Sequence, residues 1–360
     1  MSQFPDGSVD VSTRNATNRR EGANPFSATQ PGVTVIVCTR DRPVQLDQCL
    51  ESLAQQTCRR FDVLVVDNAS AHPAREICRR RGVSYMYEPV PGLTRARNLG
   101  ARAARGEVVA YIDDDATPEP GWLDALVRDF EDPAVAAVSG RIRYMKAHGD
   151  TRTMSNEEAS SACTHRPRGS VDKGTPDWFA LACFGGIGDG SSMAFRRAVI
   201  ERSVAFDERL GRGRLLEGGD EHVAFMSLIA SGHRITHAPD AVVRHPYPAT
   251  PALERARRLR DLRNAIANLM FLWGEFPAHH VDIARFLYRA VLKRVAGSVT
   301  RLPGSARLPR WLVLKAMLGG CLVYWKARRE WTGTRGHRRE EVGRSSSGSR
   351  ESALIPRRVA

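Results

Sequence analysis

The sequence predicts an α/β fold, a Rossmann-like sheet flanked by helices, with a helical appendage at the C-terminal end. Three observations predict it. Strand and helix signals alternate through the first 140 residues, as in successive βαβ units with a parallel sheet. The apolar run Val108–Ile112 ends abruptly in Asp113, Asp114 and Asp115, the profile of a buried strand whose carboxyl end faces a ligand. Beyond residue 250 the apolar residues recur at helical spacing.

In chain order, residues 1–30 are polar and Asn/Ser/Thr-rich with no apolar core, which predicts a disordered lead-in and not an ordinary signal peptide. Val33–Cys38 is a β-branched strand, and Pro43 opens a helix with Leu46, Leu50 and Leu53 along one face. Phe61–Val66 is a second strand and Val83–Tyr87 a third. A Pro-Gly turn then introduces a helix that begins with Arg95, Arg97 and Asn98. Val108–Ile112 is the fourth strand, a helix follows over Trp122–Phe130, and Val135–Val138 is extended. Residues 145–180 lose periodicity and predict a long loop, of the kind used as a lid; within it Trp178 and Phe179 could stack on a sugar or serve the core. Regular signals return at Ser192–Phe195, in a helix over Glu217–Ala230, and in short extended pieces, Arg234–His237 and Ala241–Arg244, on either side of Pro239. The expected divisions are a disordered segment at 1–30, the α/β domain at 31–250, a basic helical appendage at 251–331 and a disordered basic tail at 332–360.

Charge divides the chain at the same point. The net charge is +14, yet residues 251–360 hold 23 Lys and Arg against 8 Asp and Glu, a net of +15. Such asymmetry implies an anionic partner for the C-terminal third, and amphipathic stripes there suit a membrane surface. Helices packed on the α/β domain with a solvated basic face would read the same way. No recognised nucleic-acid motif is present, so no nucleic-acid partner is expected. Seven cysteines without a CxxC pair predict reduced thiols in a cytoplasmic protein.

The chemistry centres on the acids. Asp113 and Asp115, two apart on a strand end, can point the same way and leave Asp114 to face elsewhere. Hard oxygen ligands completed by water and phosphate describe an Mg²⁺ or Mn²⁺ site serving a nucleotide, although a solvated acidic turn has the same composition. Asp67 could accept from a base N–H or a ribose hydroxyl, or cap a turn. Thr39 and Arg40 end the first strand beside it. No GxGxxG follows that strand, which argues against NAD.

Taken in order, Val35-Ile-Val-Cys-Thr39-Arg40-Asp41-Arg42, Val65-Val-Asp67-Asn68-Ala-Ser70, Gly92-Leu-Thr-Arg95-Ala-Arg97-Asn98-Leu-Gly100 and the DXD motif Asp113-Asp114-Asp115 resemble the family-two glycosyltransferases. So do Gly185-Gly186, Gly218-Gly219-Asp220-Glu221 and Val243-Arg244-His245, and the likeness covers about residues 32–250. The resemblance implies a GT-A-type mixed sheet and an inverting transfer from a nucleotide sugar, UDP- or dTDP-linked, to a glycan, lipid-linked or small-molecule acceptor. It implies a divalent metal on Asp113, Asp115 and His245, with Thr39, Arg40, Asp67, Arg97, Asn98 and Asp114 on the donor side. It also implies a carboxylate base after the glycine pair. The family order there is Glu-Asp; this chain has Asp220-Glu221, which places Glu221 at the base position and keeps Asp220 as the alternative. The expected location is the cytoplasm, with attachment to the inner face of the cell membrane. A nucleotidyltransferase would share the sheet and the metal but normally shows a Gly-rich basic loop after the first strand, which Thr39–Pro43 lacks. A nonenzymatic basic binding protein is the third class considered.

Overall fold

The computed structural model describes residues 32–146, 167–184, 186–203, 206–247, 250–295 and 309–347. The expected disorder at 1–30 and 348–360, the middle of the 145–180 loop and Gly185 lie outside them. Four parallel strands form one half of the sheet: β1 (Val33–Thr39), β2 (Phe61–Asn68), β3 (Ser84–Glu88) and β4 (Val108–Asp113). Between them run α1 (Pro43–Ala54), α2 (Arg75–Arg81) and α3 (Leu93–Ala103). Pro43 does open α1, and Leu46, Leu50 and Leu53 are buried beneath it. The βαβ reading of this half is therefore correct.

The second half makes the sheet mixed. A two-residue strand β5 (Thr117–Pro118), α4 (Trp122–Val127), β6 (Val135–Lys146), β7 (Gly169–Val171), α5 (Trp178–Cys183), β8 (Ser192–Arg196), α6 (Arg197–Ser203), α7 (Asp220–Ala230) and β9 (Arg234–Tyr247) follow in turn. The order across the sheet is β3-β2-β1-β4-β8-β6-β9-β5, with β7 also on β9. β8 enters antiparallel between β4 and β6. The long loop expected at 145–180 thus contains β7 and α5. The two extended pieces around Pro239 are one strand: Gly140 pairs with Ala238 and Arg141 with Val242, so residues 239–241 bulge out of the register, which accommodates a proline that cannot donate.

Each face carries its own apolar layer. Leu46, Leu50, Leu53, Trp122, Leu123 and Leu126 cover one face. Ile36, Val66, Phe195, Phe206 and Phe225 lie under the other, and the same layer takes in Ala267, Phe271, Ile283, Tyr324 and Ala327 from the C-terminal region. That region is helical as expected, with α8 (Pro251–Glu275), α9 (His280–Val295) and α10 (Arg310–Ser347). α10 continues through 332, where the disordered tail was expected to start. Phe179 joins the core, and Trp178 packs edge-on against Phe179 and His279.

α3 lies unusually close to the sheet. A Cβ at Gly100 would sit 2.8 Å from Ile36 Cγ2 and 3.2 Å from Val66 Cγ2. Gly100→Ala should therefore push α3 outward and cost about 1–3 kcal/mol, measurable as a lowered denaturant midpoint with an unchanged slope.

Candidate active site

The register brings the strand ends into rank. Thr39 lies beside Asp67, and Cys38 beside Asp113, so the carboxyl ends of β1, β2 and β4 open on one cleft. Thr39, Arg40, Asn68 and the three acids line it, with Arg212 and Gly213 opposite. β5 pairs Thr117 with Arg244. This short pairing turns the chain after Asp115 against the end of β9 and brings His245 to the acids.

The three carboxylates face different partners. Ser191 Oγ donates to Asp113 Oδ2 at 2.7 Å. His245 Nε2 lies 3.1 Å from Asp115 Oδ1 and 3.7 Å from Asp113 Oδ2. Asp114 turns away and accepts from Thr39 Oγ1 at 2.8 Å and Arg42 Nη1 at 3.1 Å. Arg42 also donates to Asp115 Oδ2 at 2.7 Å. The alternation expected of a strand end holds. Asp113, Asp115 and His245 each offer one ligand atom, and these atoms lie within 4.8 Å of one another. His245 Nδ1 is 2.9 Å from the Pro246 carbonyl; donating there fixes the tautomer and leaves Nε2 for the acids or a cation. Two carboxylate oxygens and an imidazole suit Mn²⁺ or Mg²⁺.

Charge is partitioned accordingly. Burial raises the Asp113 carboxyl, but His245, Arg97 and Ser191 outweigh it and hold the group well below the usual range. Asp115 is lowered in the same way, burial being overcome chiefly by His245. Burial pushes Asp114 up to about 6 despite Thr39 and Arg42. The His245 imidazolium is disfavoured by burial yet raised to about 10 by the two carboxylates.

A second acidic pair opens α7. Gly218 and Gly219 take positive φ, and a Cβ at Gly219 would meet Asn268 Nδ2 of α8 at 2.4 Å. Asp220 is buried and accepts from Arg97 Nη1 at 2.5 Å. Glu221 is raised well above the carboxylate range, first by burial and then by Asp220 beside it.

Several sequence-predicted residues sit one layer behind the cleft. Arg97 is buried, donating to Asp220 and to the Gly190 carbonyl at 3.2 Å, with Asp113 Oδ1 at 3.9 Å and its guanidinium over the Phe206 ring. Asn98 exchanges two hydrogen bonds with the Phe206 backbone. Asp67 is fully buried and accepts from the Ser70 and Ala74 amides and the Tyr85 hydroxyl. In this structure the polar atoms of all three are engaged by the scaffold, and Asp67 anchors a turn. Asn68, which the sequence reading passed over, reaches the cleft and holds the Pro-Gly turn by accepting from the Gly92 amide. Arg42, Ser191 and Arg212 were also missed. Arg42 closes the Thr39-Arg-Asp-Arg run at the end of the first strand, and Gly-Arg-Gly around Arg212 signals a tight loop, but Ser191 carries no local signal.

Residues 34–203 match the model of the family described as glycosyl transferase family 2, an interval that holds the strand-end acids and ends before α7 and β9. Glycosyltransferase AglE of Haloferax volcanii is 25% identical over 229 residues, 61% of this chain and 69% of that protein. The pre-mycofactocin glycosyltransferase of Mycobacterium tuberculosis is 28% identical over 229 residues, and the chain spans only 44% of its length. An N-acetylglucosaminyltransferase of Rhizobium leguminosarum bv. viciae is 24% identical over 79% of this chain and 69% of its own. Among solved structures, a mannosyltransferase from Pyrobaculum calidifontis in complex with GDP-Man and Mn²⁺ aligns with a TM-score of 0.46 at 22% identity, over 89% of this chain and 88% of that one.

Removing the Arg97 guanidinium strands a buried carboxylate. Arg97→Met should cost about 3–5 kcal/mol, and Arg97→Met with Asp220→Asn should recover much of that loss, as a double-mutant cycle by chemical denaturation would show.

Proposed function

We propose that the chain, whose residues 34–203 match glycosyl transferase family 2, is a sugar-transferring enzyme of that family and that it catalyses an inverting transfer from a nucleoside diphosphate sugar, UDP- or dTDP-linked, to an acceptor hydroxyl. The observation that carries this reading is the convergence of Asp113, Asp115 and His245 in a strand-end cleft. In the proposal these three hold Mn²⁺ or Mg²⁺, which when bound would neutralise charge developing on the departing diphosphate. Thr39, Arg40 and Asn68 face the nucleotide side, and Asp114 fixes Thr39 and Arg42 there.

Glu221 is the proposed base. Asp220 is committed to Arg97, whereas burial and the neighbouring charge raise the proton affinity of Glu221. It would accept the acceptor's hydroxyl proton as that oxygen bonds to the anomeric carbon and the diphosphate leaves from the opposite face. Arg97 acts through Asp220 and Asp113, fixing the base and the acids relative to each other. Glycan, lipid-linked and small-molecule acceptors all fit this chemistry, and the proposed place of work is the cytoplasm, against the inner face of the cell membrane.

Calorimetric titration of UDP, dTDP and GDP in Mn²⁺ and in EDTA tests the reading. Binding should need both the metal and the acids, and should vanish in Asp113→Ala/Asp115→Ala; a folded protein that binds no nucleotide in Mn²⁺ sinks it. The raised imidazolium adds a pH signature. Its pairing with the acids stabilises the cation-free protein fully below pH 6.5 and is lost as pH rises through about 10. A cation must displace that proton, so Mn²⁺ affinity should climb about tenfold per pH unit across neutrality, with proton release on binding.

Glu221→Gln should lower kcat by about 10²–10⁴ with the nucleotide affinity kept. Because the Glu221 carboxyl is raised in the folded state, its ionisation opposes folding as pH increases. The same variant should therefore melt higher than the parent at pH 8.

A further inference from the structure

α10 has two faces of opposite character. Tyr324 and Ala327 are buried, and a Cβ at Gly320 would stand 2.5 Å from the Arg263 carbonyl of α8, so one face is pressed against the appendage. On nearly the opposite side Trp311, Leu314, Leu318, Leu322 and Trp325 are all between 51% and 71% exposed. At 3.6 residues per turn the five fall within an arc of about 80° and run about 21 Å along the axis, with a tryptophan at each end. Among the described residues the Arg328 guanidinium stands 5.5 Å over the Trp325 ring, yet at least half of each of the five remains exposed. Solvent-facing apolar residues scattered singly are ordinary, but a continuous ribbon of five large ones is not.

The flanks say what could cover it. From Arg310 to Trp331 there are five cations (Arg310, Lys315, Lys326, Arg328 and Arg329) and one carboxylate, Glu330. A second copy seated on the ribbon would bring the same cationic excess to meet it. An acidic partner with an apolar interior and a hydrated boundary meets both features, and tryptophan prefers such a boundary. No described helix is long and apolar enough to cross a membrane, so the contact that fits is a helix lying in the surface plane.

We propose that the exposed Trp311–Trp325 ribbon of α10 is a docking surface for an anionic lipid bilayer, entering it side-on with Lys315, Lys326 and Arg329 at the headgroups. This deepens the proposed attachment of the transferase to a membrane and rests on that reading for the enzyme's place of work. The buried face of α10 and the contact of α8 with the α7 turn would then hold the cleft in a fixed relation to the bilayer.

The full-length protein is sedimented with phosphatidylcholine vesicles, with and without phosphatidylglycerol, at low and high salt, and UDP titration in Mn²⁺ is run on the same samples. The parent should bind the anionic vesicles at low salt. Leu318→Glu/Leu322→Glu should bind at least about tenfold more weakly, and Lys315→Glu/Lys326→Glu should lose the preference for phosphatidylglycerol. Both should keep the circular dichroism and nucleotide response of the parent, since the substituted side chains are exposed or lie at the ribbon edge. Protein that stays in the supernatant, or a ribbon variant that binds as well as the parent, overturns the proposal. So does a dimer that dissociates on ribbon substitution without lipid, or duplex DNA binding that outcompetes the vesicles. A parent protein that fails to bind vesicles while still binding nucleotide rejects the surface alone; a folded parent that binds no nucleotide rejects the transferase reading instead.

Discussion

The buried contact between Arg97 and Asp220 joins the two halves of the site. Arg97 belongs to α3, whose helix is laid on the parallel strands through Gly100, and Asp220 opens α7 beyond the mixed half of the sheet. A guanidinium withdrawn from water needs its donors satisfied, and here Asp220 and the Gly190 carbonyl accept while Asp113 adds opposite charge from 3.9 Å. Breaking such a contact is costly although forming it gains little. Its value is positional, because one cation sets the distance between the strand-end acids and the α7 carboxylates.

Five carboxylates stand close together in this corner, and the fold prevents them from behaving alike. Asp113 and Asp115 are held ionised by His245, Asp114 is engaged by Thr39 and Arg42, Asp220 is neutralised by Arg97, and Glu221 is left with burial and a neighbouring charge. Chemically similar groups are thus given separate environments within one corner of the fold.

Much of this was legible in the sequence where the signal is local. A strand ending in three acids, a proline opening α1 and a glycine pair before α7 each announce themselves within a few residues, and the two-residue period placed Asp113 and Asp115 together. What failed to show was anything decided by tertiary contact. Asp67 has the composition of a nucleotide acceptor, yet two backbone amides and a tyrosine use its oxygens. Arg97 and Asn98 open a helix, as a phosphate site would, but face inward to the loop at Phe206. Ser191 meets Asp113 across 78 residues. The bulge at Pro239 also masked the continuity of β9, because the register shift breaks the alternation that a strand is read from.

The helices after residue 250 are fastened to the rest by more than a linker. Asn268 of α8 donates to the Gly218 carbonyl, and Phe271, Ile283 and Tyr324 complete an apolar layer that begins under β1. Severing the chain at 250 would open that layer to water and free the turn carrying Asp220 and Glu221. The C-terminal region is in this sense not an interchangeable module. Recombination that exchanged it for another tail would have to carry replacements for Asn268 and Phe271, so the two regions are expected to be inherited together.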